Sequence, residues 1–456
     1  MERVQESANI VRNIIKIGFI LSLSFLAGQM IAGPFSIYLK MAILILPIIG
    51  ILLLLNPMWG FMILLFIRPL VNPLMVYYLV PGINLLGFFS FLNVILIVSI
   101  LIKERDVKLF PKNLKWFYIY FMVAIFSLFN SSDVFNSFVF LMKLLSLIAL
   151  FLLGYYFPRS LDDVLKIIRV IILSAIVPII YGLYQAVTGQ GIQSAKWGIL
   201  SGASRINSTF ELSNGFADFL GMIILISILL LFYSRKNKEK FFVTLIISGA
   251  FICLLFTYVR AIWISIFVAL CSIGLFEKRY RRWLILLILP LLPLLWDLVY
   301  ARFEDIINPS IVIPGATNSL EFRQEITKQL LTNAFPKHPF FGFGVGQSQY
   351  VIPLFTIFQN VPHNDYMRVL IETGIFGLIT YLIFIGKLFF YLFSLIRRKI
   401  NVRANSMFLA LLLFYLVASS AQNLFAFIAS SGYIFFYMGM AQKINDIDRE
   451  NNYAYG

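Results

Sequence analysis

Long apolar stretches alternate with short polar ones along the whole chain. A helix needs about 20 mostly apolar residues to cross a bilayer. Stretches of this kind lie near residues 14–31, 37–55, 58–67, 83–102, 116–129, 135–157, 165–187, 213–233, 241–258, 261–276, 283–299, 366–396, 404–420 and 424–441. Because some of them are short or contain proline, neighbouring spans can split or fuse. The pattern therefore predicts an all-α integral membrane protein with 12–14 transmembrane helices.

The amino-acid composition points to the same class of protein. Hydrophobic residues make up 60% of the 456 residues, and charged residues make up 13%. Soluble domains are typically about 45–50% apolar and about 25% charged. A water-soluble chain of this size could not bury so much apolar surface, so a soluble protein is excluded.

The formal net charge of +16 has two interpretations, a nucleic-acid footprint or the basic cytoplasmic loops of a membrane protein. The loops 32–36, 70–82 and 130–134 contain no Lys or Arg, whereas the alternate loops are basic. Those loops contain Lys103, Arg105, Lys108, Lys112, Lys115, Arg159, Lys166, Arg235, Lys236, Lys238, Lys240, Lys278, Arg279, Arg281, Arg282, Arg397, Arg398, Lys399 and Arg403. We therefore expect both termini in the cytoplasm and no nucleic-acid partner.

Two long polar segments, 188–212 and 300–365, fall on the side expected to be extracytoplasmic. Loops of such length are usually functional or disordered. Within residues 320–334, Leu320, Ile326, Leu330 and Leu331 show helical spacing before Pro336, which predicts an amphipathic helix on the membrane face with these residues in its apolar stripe. A plain connector is the alternative. The predicted regions are N-terminal transmembrane helices 1–190, transmembrane helices with candidate arginines 191–299, a large extracytoplasmic loop with short amphipathic helices 300–365, and C-terminal transmembrane helices 366–456.

Both histidines of the chain, His338 and His363, lie in the longer of these loops. His363 precedes Asn364 and Asp365, either of which is a natural N-cap for the apolar helix that follows. A helix N-terminus attracts anions. An imidazole with a pKa of about 6.5 can also accept a proton near neutral pH. The pattern favours His363 as a general base, with a histidine hydrogen-bonded at an interface as the alternative.

Three arginines, Arg205, Arg260 and Arg323, occur on the side that the positive-inside rule depletes of basic residues. The guanidinium group offers a planar set of donors that fits phosphate oxygens. Together with His363, these arginines predict a diphosphate site beside a base. Ordinary snorkelling towards lipid headgroups explains one boundary arginine more readily than three. On the helix after His363, Arg368 and Glu372 are four residues apart and can pair.

Other residues that suggest a cofactor or a metal site lack the neighbouring residues that such sites require. The glycines of 342–346 follow no strand and precede no P-loop lysine, so a nucleotide loop is rejected. Glu304 and Asp305 form no acidic cluster with metal spacing. Cys253 and Cys271 lie in apolar spans without a CxxC motif. We expect neither a metal nor a cofactor.

The order of these features closely resembles the bacterial O-antigen ligase/O-antigen polymerase superfamily of polytopic membrane glycosyltransferases. The resemblance runs from about 205 to 377. Its motifs are His-Pro-Phe-Phe-Gly-Phe-Gly-Val-Gly at 338–346 and Pro-His-Asn-Asp-Tyr-Met-Arg-Val-Leu-Ile-Glu-Thr-Gly-Ile-Phe-Gly at 362–377. The His-Asn and Glu-x-Gly-x-x-Gly elements of the second are the most specific part.

This resemblance implies transfer of a glycan from undecaprenyl diphosphate to an acceptor sugar hydroxyl, at the outer face of the bacterial inner membrane. It implies catalytic roles for Arg205, Arg260 and His363. The substrate-binding residues that we predict with them are Arg323, Asn364, Arg368, Glu372 and His338. The implied partners are the lipid-linked donor, a glycan or lipid-glycan acceptor, membrane lipids, a flippase and a chain-length regulator.

The acceptor is left open by these residues. A polymerase extends repeat units of O-antigen, capsule or exopolysaccharide, a ligase transfers polymer to lipid A-core, and a relative glycosylates protein. The Ile, Lys, Asn and Phe-rich composition favours the polymerase, because it hints at an organism without a lipid A-core. A polysaccharide or lipid transporter is the further alternative, and it predicts internal repeats and ionisable residues near mid-membrane. Sparse candidates are Lys143, Arg169, Asp218 and Asp297.

Overall fold

The computed structural model describes most of the chain beyond residue 55. The described residues are 56–72, 78–80, 83–103, 111–193, 204–278, 281, 296, 300, 319–357, 363–426 and 428–454. The spans expected near 14–31 and 37–55 lie outside this part, as do the acidic candidates Glu304 and Asp305, and only residue 296 of the span expected near 283–299 lies inside it.

Helices account for nearly all of the described structure. They are α1 (Pro57–Ile67), α2 (Leu85–Lys103), α3 (Lys115–Ser127), α4 (Val134–Tyr156), α5 (Leu161–Ser174), α6 (Ile176–Thr188), α7 (Ser213–Tyr233), α8 (Asn237–Phe256), α9 (Arg260–Phe276), α10 (Ser319–Gln329), α11 (Ser348–Phe355), α12 (Asp365–Arg397), α13 (Val402–Ser419) and α14 (Ile428–Ala454). Short antiparallel pairs join β1 (Tyr78–Val80) to β2 (Ile83–Asn84) and β3 (Ile192–Gln193) to β4 (Ser204–Arg205).

The all-α membrane class is confirmed. Within the described residues, six helical stretches are long and apolar enough to cross a membrane. They are α4, the α5–α6 stretch Leu161–Thr188, α7, α8, α12 and α13. Helices α1, α3 and α9 belong to shorter apolar stretches. The chain is therefore a multi-pass membrane protein.

Close backbone contact fixes the packing of α4 against α14. A Cβ atom added at Gly154 would lie 2.1 Å from the carbonyl oxygen of Phe436, and one added at Gly439 would lie 2.0 Å from that of Phe151. Small residues allow such close approach where lipid provides no hydrophobic driving force between helices. Helix α7 lies deep in this bundle and is buried over most of its length.

The helices alternate between two ends of the bundle. The first, which we call the site end, comprises residues 128–133, 204–210, 257–260, 338–347 and 363–365. Here the side chain of Asn130 donates to the carbonyl of Gly342 (2.9 Å). The second, which we call the basic end, contains the described basic loops, and Arg169 pairs there with Glu239 (2.7 Å).

Candidate active site

Helix α12 begins at Asp365 and is broken at Gly374, about two and a half turns later. Gly374 has φ 68° and ψ −169°, a conformation outside the helical region that disfavours any residue with a side chain. A Cβ atom at this position would also lie 2.3 Å from the backbone of Phe340. The first turns of α12, which follow His363, are thereby separated from the long apolar part of the helix.

The glycine-rich loop 338–346 fills this break. Four backbone hydrogen bonds join the two segments. They run from Phe343 N to Ile371 O (3.0 Å), Gly344 N to Glu372 O (3.0 Å), Ile375 N to Pro339 O (2.8 Å) and Phe376 N to Phe340 O (3.4 Å). A helix break frees backbone donors and acceptors that must be satisfied when buried. The loop supplies these partners, so the two motifs that carry the family resemblance form one structural unit, which we call the clasp.

The backbone conformation of the clasp requires glycine at three positions of loop 338–346. Gly342, Gly344 and Gly346 all have positive φ values, and a Cβ atom at Gly342 would lie 2.4 Å from the backbone of Glu372. The amide groups of Phe343 and Gly344 are bonded to α12 and do not form a cradle for phosphate. This geometry supports the rejection of a nucleotide loop.

The segment between α3 and α4 holds the clasp from the other side. Ser127 Oγ accepts from Val345 N (3.0 Å), and Asn136 donates to the carbonyl of Gly346 (2.9 Å). The buried side chain of Gln347 donates to the carbonyl of Asp133 (2.9 Å). Sequence reasoning missed these polar residues, because they lie about 210 positions away along the chain and form no local motif.

The amphipathic helix expected at 320–334 is present as α10 followed by a π-helical turn, Leu330–Ala334. Its apolar row of Phe322, Ile326, Leu330 and Ala334 is buried and packs against Val351, Ile352 and Ile371. The apolar face of this helix is thus covered by protein. Leu331, expected in the apolar stripe, is instead 41% exposed, because the buried row follows a four-residue spacing that excludes it.

His363 lies half-buried directly before the first turn of α12. Asn364 is the N-cap, since its Oδ1 accepts from Tyr366 N (3.0 Å) and Met367 N (3.2 Å). Burial lowers the pKa of His363, and the positive charge of Arg323 lowers it further. The charge of Arg323 therefore reaches His363, and the lowered pKa favours the neutral imidazole that a proton acceptor requires.

Arg205 and Arg260 form a second group of residues at the site end. Arg205 Nε donates to the carbonyl of Thr257 (2.9 Å), and its Nη2 donates to Asn214 Oδ1 (3.1 Å). Burial lowers the pKa of Arg205, and the charge of Arg260 lowers it further. Two guanidinium groups that repel each other within a half-buried site favour binding of an anion between them.

Local structure brings these two arginines together. Arg205 ends β4, and the next residue, Ile206, donates its N–H to the carbonyl of Phe256 at the end of α8 (3.3 Å). Tyr258 then takes a positive φ of 53°, and α9 begins at Arg260. The tight turn between α8 and α9 therefore carries one arginine and holds the segment that carries the other.

Arg368 and Glu372 pair as predicted, with Arg368 Nε 2.9 Å from Glu372 Oε1. Glu372 is almost completely buried and also accepts hydrogen bonds from the backbone and the hydroxyl of Ser348. The guanidinium of Arg368 lies over the ring of Phe140 at 4.9 Å. These contacts are all within the protein, so the pair braces α11 against α12, and its role in binding substrate stays a prediction.

His338 belongs to the clasp. Its carbonyl accepts from Gly342 N (3.0 Å), and its ring packs edge-on against Phe343 with centroids 4.5 Å apart. A contact with substrate stays a prediction for this residue too. Within the described part of the chain, no group of three or more His, Cys, Asp and Glu side chains could hold a metal ion.

Residues 245–382 match the sequence model of a family described as O-antigen ligase. The match supports membership of the chain in the O-antigen ligase/polymerase superfamily. It includes Arg260, Arg323, the clasp and His363, whereas Arg205 precedes it. No curated protein matches the chain. Lipid-linked glycans are the general class of substrate that the O-antigen ligase family implies.

Proposed function

We propose that the chain is a metal-independent membrane glycosyltransferase that polymerises repeat units of a surface polysaccharide. It transfers a glycan from a lipid diphosphate, the undecaprenyl carrier of the family, to the hydroxyl group of an acceptor sugar. The observation that carries this proposal is the geometry of the site end, where Arg205 Nε donates to the carbonyl of Thr257 in the turn that leads to Arg260 and where the charge of Arg323 acts on His363. Arg205 and Arg260 provide positive charges at fixed positions, and His363 provides a neutral base.

The arginine pair binds the diphosphate of the donor. As the bond between the anomeric carbon and the diphosphate breaks, negative charge grows on the leaving oxygens. Donors that are already in position stabilise this charge without reorganising. Arg205 is held by Thr257 and Asn214, so its guanidinium is oriented before the substrate arrives.

His363 accepts the proton of the acceptor hydroxyl. The hydroxyl oxygen attacks the anomeric carbon, a new glycosidic bond forms, and the lipid diphosphate leaves with its electron pair. The proton stays on the imidazole until it passes to solvent. A lowered pKa keeps His363 neutral at physiological pH, and neutral imidazole is the form that can take a proton.

We place the site end outside the cytoplasmic membrane of a bacterium. The support is the accumulation of Lys and Arg at the opposite end, which the positive-inside rule assigns to the cytoplasm. Both termini are then cytoplasmic. This location implies that a flippase delivers the lipid-linked substrate and that a chain-length regulator acts as a partner.

The test is synthesis of glycan by His363→Ala and Arg260→Ala variants, assayed by gel electrophoresis of extracted polymer. We expect both variants to reach the membrane and to form no polymer. Arg398→Ala is the matched control, because this exposed arginine lies at the basic end, and we expect normal polymer from it. Normal chain length in both site variants would contradict the proposal. Transfer to a lipid A-core without elongation would identify a ligase instead.

A further inference from the structure

An open groove of about 650 Å³ lies between α10 and the segment that follows α13. Its volume is within the range of small-molecule sites, about 300–1,000 Å³. Its polar lining comes from Arg323, Gln324, Thr327, Lys328, Thr332 and Ser420. None of the described residues that line it is acidic.

The groove has a fixed position relative to the proposed base. Arg323 lines one wall and acts electrostatically on His363. Ser420 lies on the other wall, in the segment that leads to Phe425. The fully buried Asp365, two residues after His363, accepts from Phe425 N (2.9 Å). The α10 wall also packs on α12, because Ile326 belongs to one apolar cluster with Met367 and Ile371, so both walls contact the first turns of α12 after His363.

The lining also differs in kind from the Arg205–Arg260 pair. Two cations stand among three hydroxyl groups and an amide, and the side chain of Leu331 adds an apolar contact. The hydroxyl groups of Thr327, Thr332 and Ser420 donate to backbone carbonyls, so their oxygens accept from sugar hydroxyls. The amide of Gln324 can donate and accept, whereas Arg and Lys bind phosphate or carboxylate. This combination fits a carbohydrate that carries a negative charge.

We infer that this groove binds the acceptor glycan through an anionic group, a phosphate, a diphosphate or a sugar carboxylate, with Lys328 and Arg323 as its cations. The inference rests on the proposed function, since an acceptor presupposes transfer. The protein then has two anion-binding sites, one for the donor and one for the acceptor. Arg205 and Arg260 hold the donor diphosphate, and the groove presents the acceptor to His363.

The test compares Lys328→Glu with the wild type, purified in nanodiscs of phosphatidylcholine. The donor is capped at its non-reducing end, and the acceptor is a fluorescent short-chain analogue that retains its phosphate. We expect the KM for the acceptor to rise about tenfold, the size of losing one hydrogen bond to a charged group, with an unchanged KM for the donor. Lys337→Glu is the matched control, because Lys337 lies over Phe355 outside the groove, and we expect no change from it.

A second acceptor without the phosphate makes the test specific. The wild type should bind this analogue as weakly as Lys328→Glu binds the charged one, and the variant should show no further loss. A rise in the KM for the donor, an equal rise for both substrates or no change would overturn the inference. The absence of any transfer by the wild type would instead contradict the proposed function.

A photoreactive phenylalanine analogue at Leu331 provides a readout that does not depend on turnover. We expect it to cross-link the labelled acceptor, with the cross-link competed by inorganic diphosphate and lost in Lys328→Glu. Nanodiscs that contain phosphatidylglycerol separate the two sources of phosphate. An effect of Lys328→Glu that occurs only with this anionic lipid would show that the groove holds a phospholipid headgroup and would overturn the inference.

Discussion

The Arg205–Arg260 pair and the Arg368–Glu372 pair place arginines in similar half-buried surroundings at the same end of the protein. Arg205 donates to neutral oxygens, Thr257 O and Asn214 Oδ1, and the charge that acts on it is a like charge. Arg368 donates to a buried carboxylate. Neutral acceptors orient an arginine without neutralising its charge, so the charge can still attract an anionic ligand. A carboxylate partner neutralises the charge of an arginine, which then stabilises the fold.

Replacing Arg205 should have the largest effect on activity. Arg205→Ala removes a donor that is aimed at developing charge, and such a loss typically costs about 100- to 1,000-fold in rate. Arg205→Lys keeps the charge but cannot donate to Thr257 O and Asn214 Oδ1 in the same planar geometry, so we expect an intermediate rate. Initial rates of glycan transfer in nanodiscs measure both. A wild-type rate for Arg205→Ala would contradict the assignment of the Arg205–Arg260 pair to substrate and of the Arg368–Glu372 pair to the fold.

Replacing Glu372 should act on stability. Glu372→Gln leaves the guanidinium of Arg368, of which 13% is exposed, without its carboxylate. We expect a loss of about 2–3 kcal/mol, in the range of hydrogen bonds to charged groups, seen as a lower Tm in detergent. The KM for both substrates should not change in the protein that remains folded. An unchanged Tm with a raised KM would show that Arg368 and Glu372 bind substrate, as we predict from the sequence.

Gly374→Ala tests the clasp, which joins loop 338–346 to the part of α12 that carries Arg368 and Glu372. The substitution places a Cβ atom against the backbone of Phe340 and forces a positive φ on alanine, which costs about 1–3 kcal/mol. Gly386→Ala is a matched control in the same helix, because the added Cβ meets no atom within 4 Å beyond its chain neighbours and the backbone of its own helix. We expect a lower Tm and less protein in the membrane for the first variant only. Equal Tm values for the two variants would contradict the role of the break.

The smallest effect should be a shift in pH dependence. The folded pKa of His363 lies below its ordinary value of about 6.5. Neutral imidazole acts as the base, so kcat/KM should fall only as the pH drops below that value. Arg323→Gln removes the positive charge that opposes protonation, and the midpoint of the acidic limb should therefore move to higher pH. An unchanged midpoint in Arg323→Gln would show that the charge of Arg323 does not act on the pKa of His363.

Local sequence patterns predicted the helical class, the N-cap before α12, the spacing of Arg368 and Glu372 and the residues 326 and 330 of the apolar row. These features depend on neighbours within one or two turns. The break at Gly374 was not predicted, because the sequence around it reads as a continuous apolar helix from 366 to 396. It forms because loop 338–346 supplies hydrogen bonds from about thirty residues away.

Long-range structure also decides the roles of the candidate residues. Asn364 and Asp365 are equivalent as N-caps in the sequence, but Asp365 turns inward to the amide of Phe425. The glycines of 342–346 indicate a backbone turn, but only its partner in α12 shows that the turn has a structural purpose. Arg205, Arg260 and Arg323 were predicted from topology as one group. In the structure, Arg205 bonds to the turn that leads to Arg260, whereas the charge of Arg323 acts on His363.

The central claim is that Arg205 and Arg260 bind the donor diphosphate, and direct binding of undecaprenyl diphosphate to the protein in phosphatidylcholine nanodiscs tests it without turnover. We predict that the double variant Arg205→Gln/Arg260→Gln binds about tenfold or more weakly than the wild type, because it loses charge-assisted hydrogen bonds to phosphate. Arg368→Gln should bind like the wild type in the protein that remains folded. Wild-type affinity of the double variant, or a loss confined to Arg368→Gln, would contradict the account.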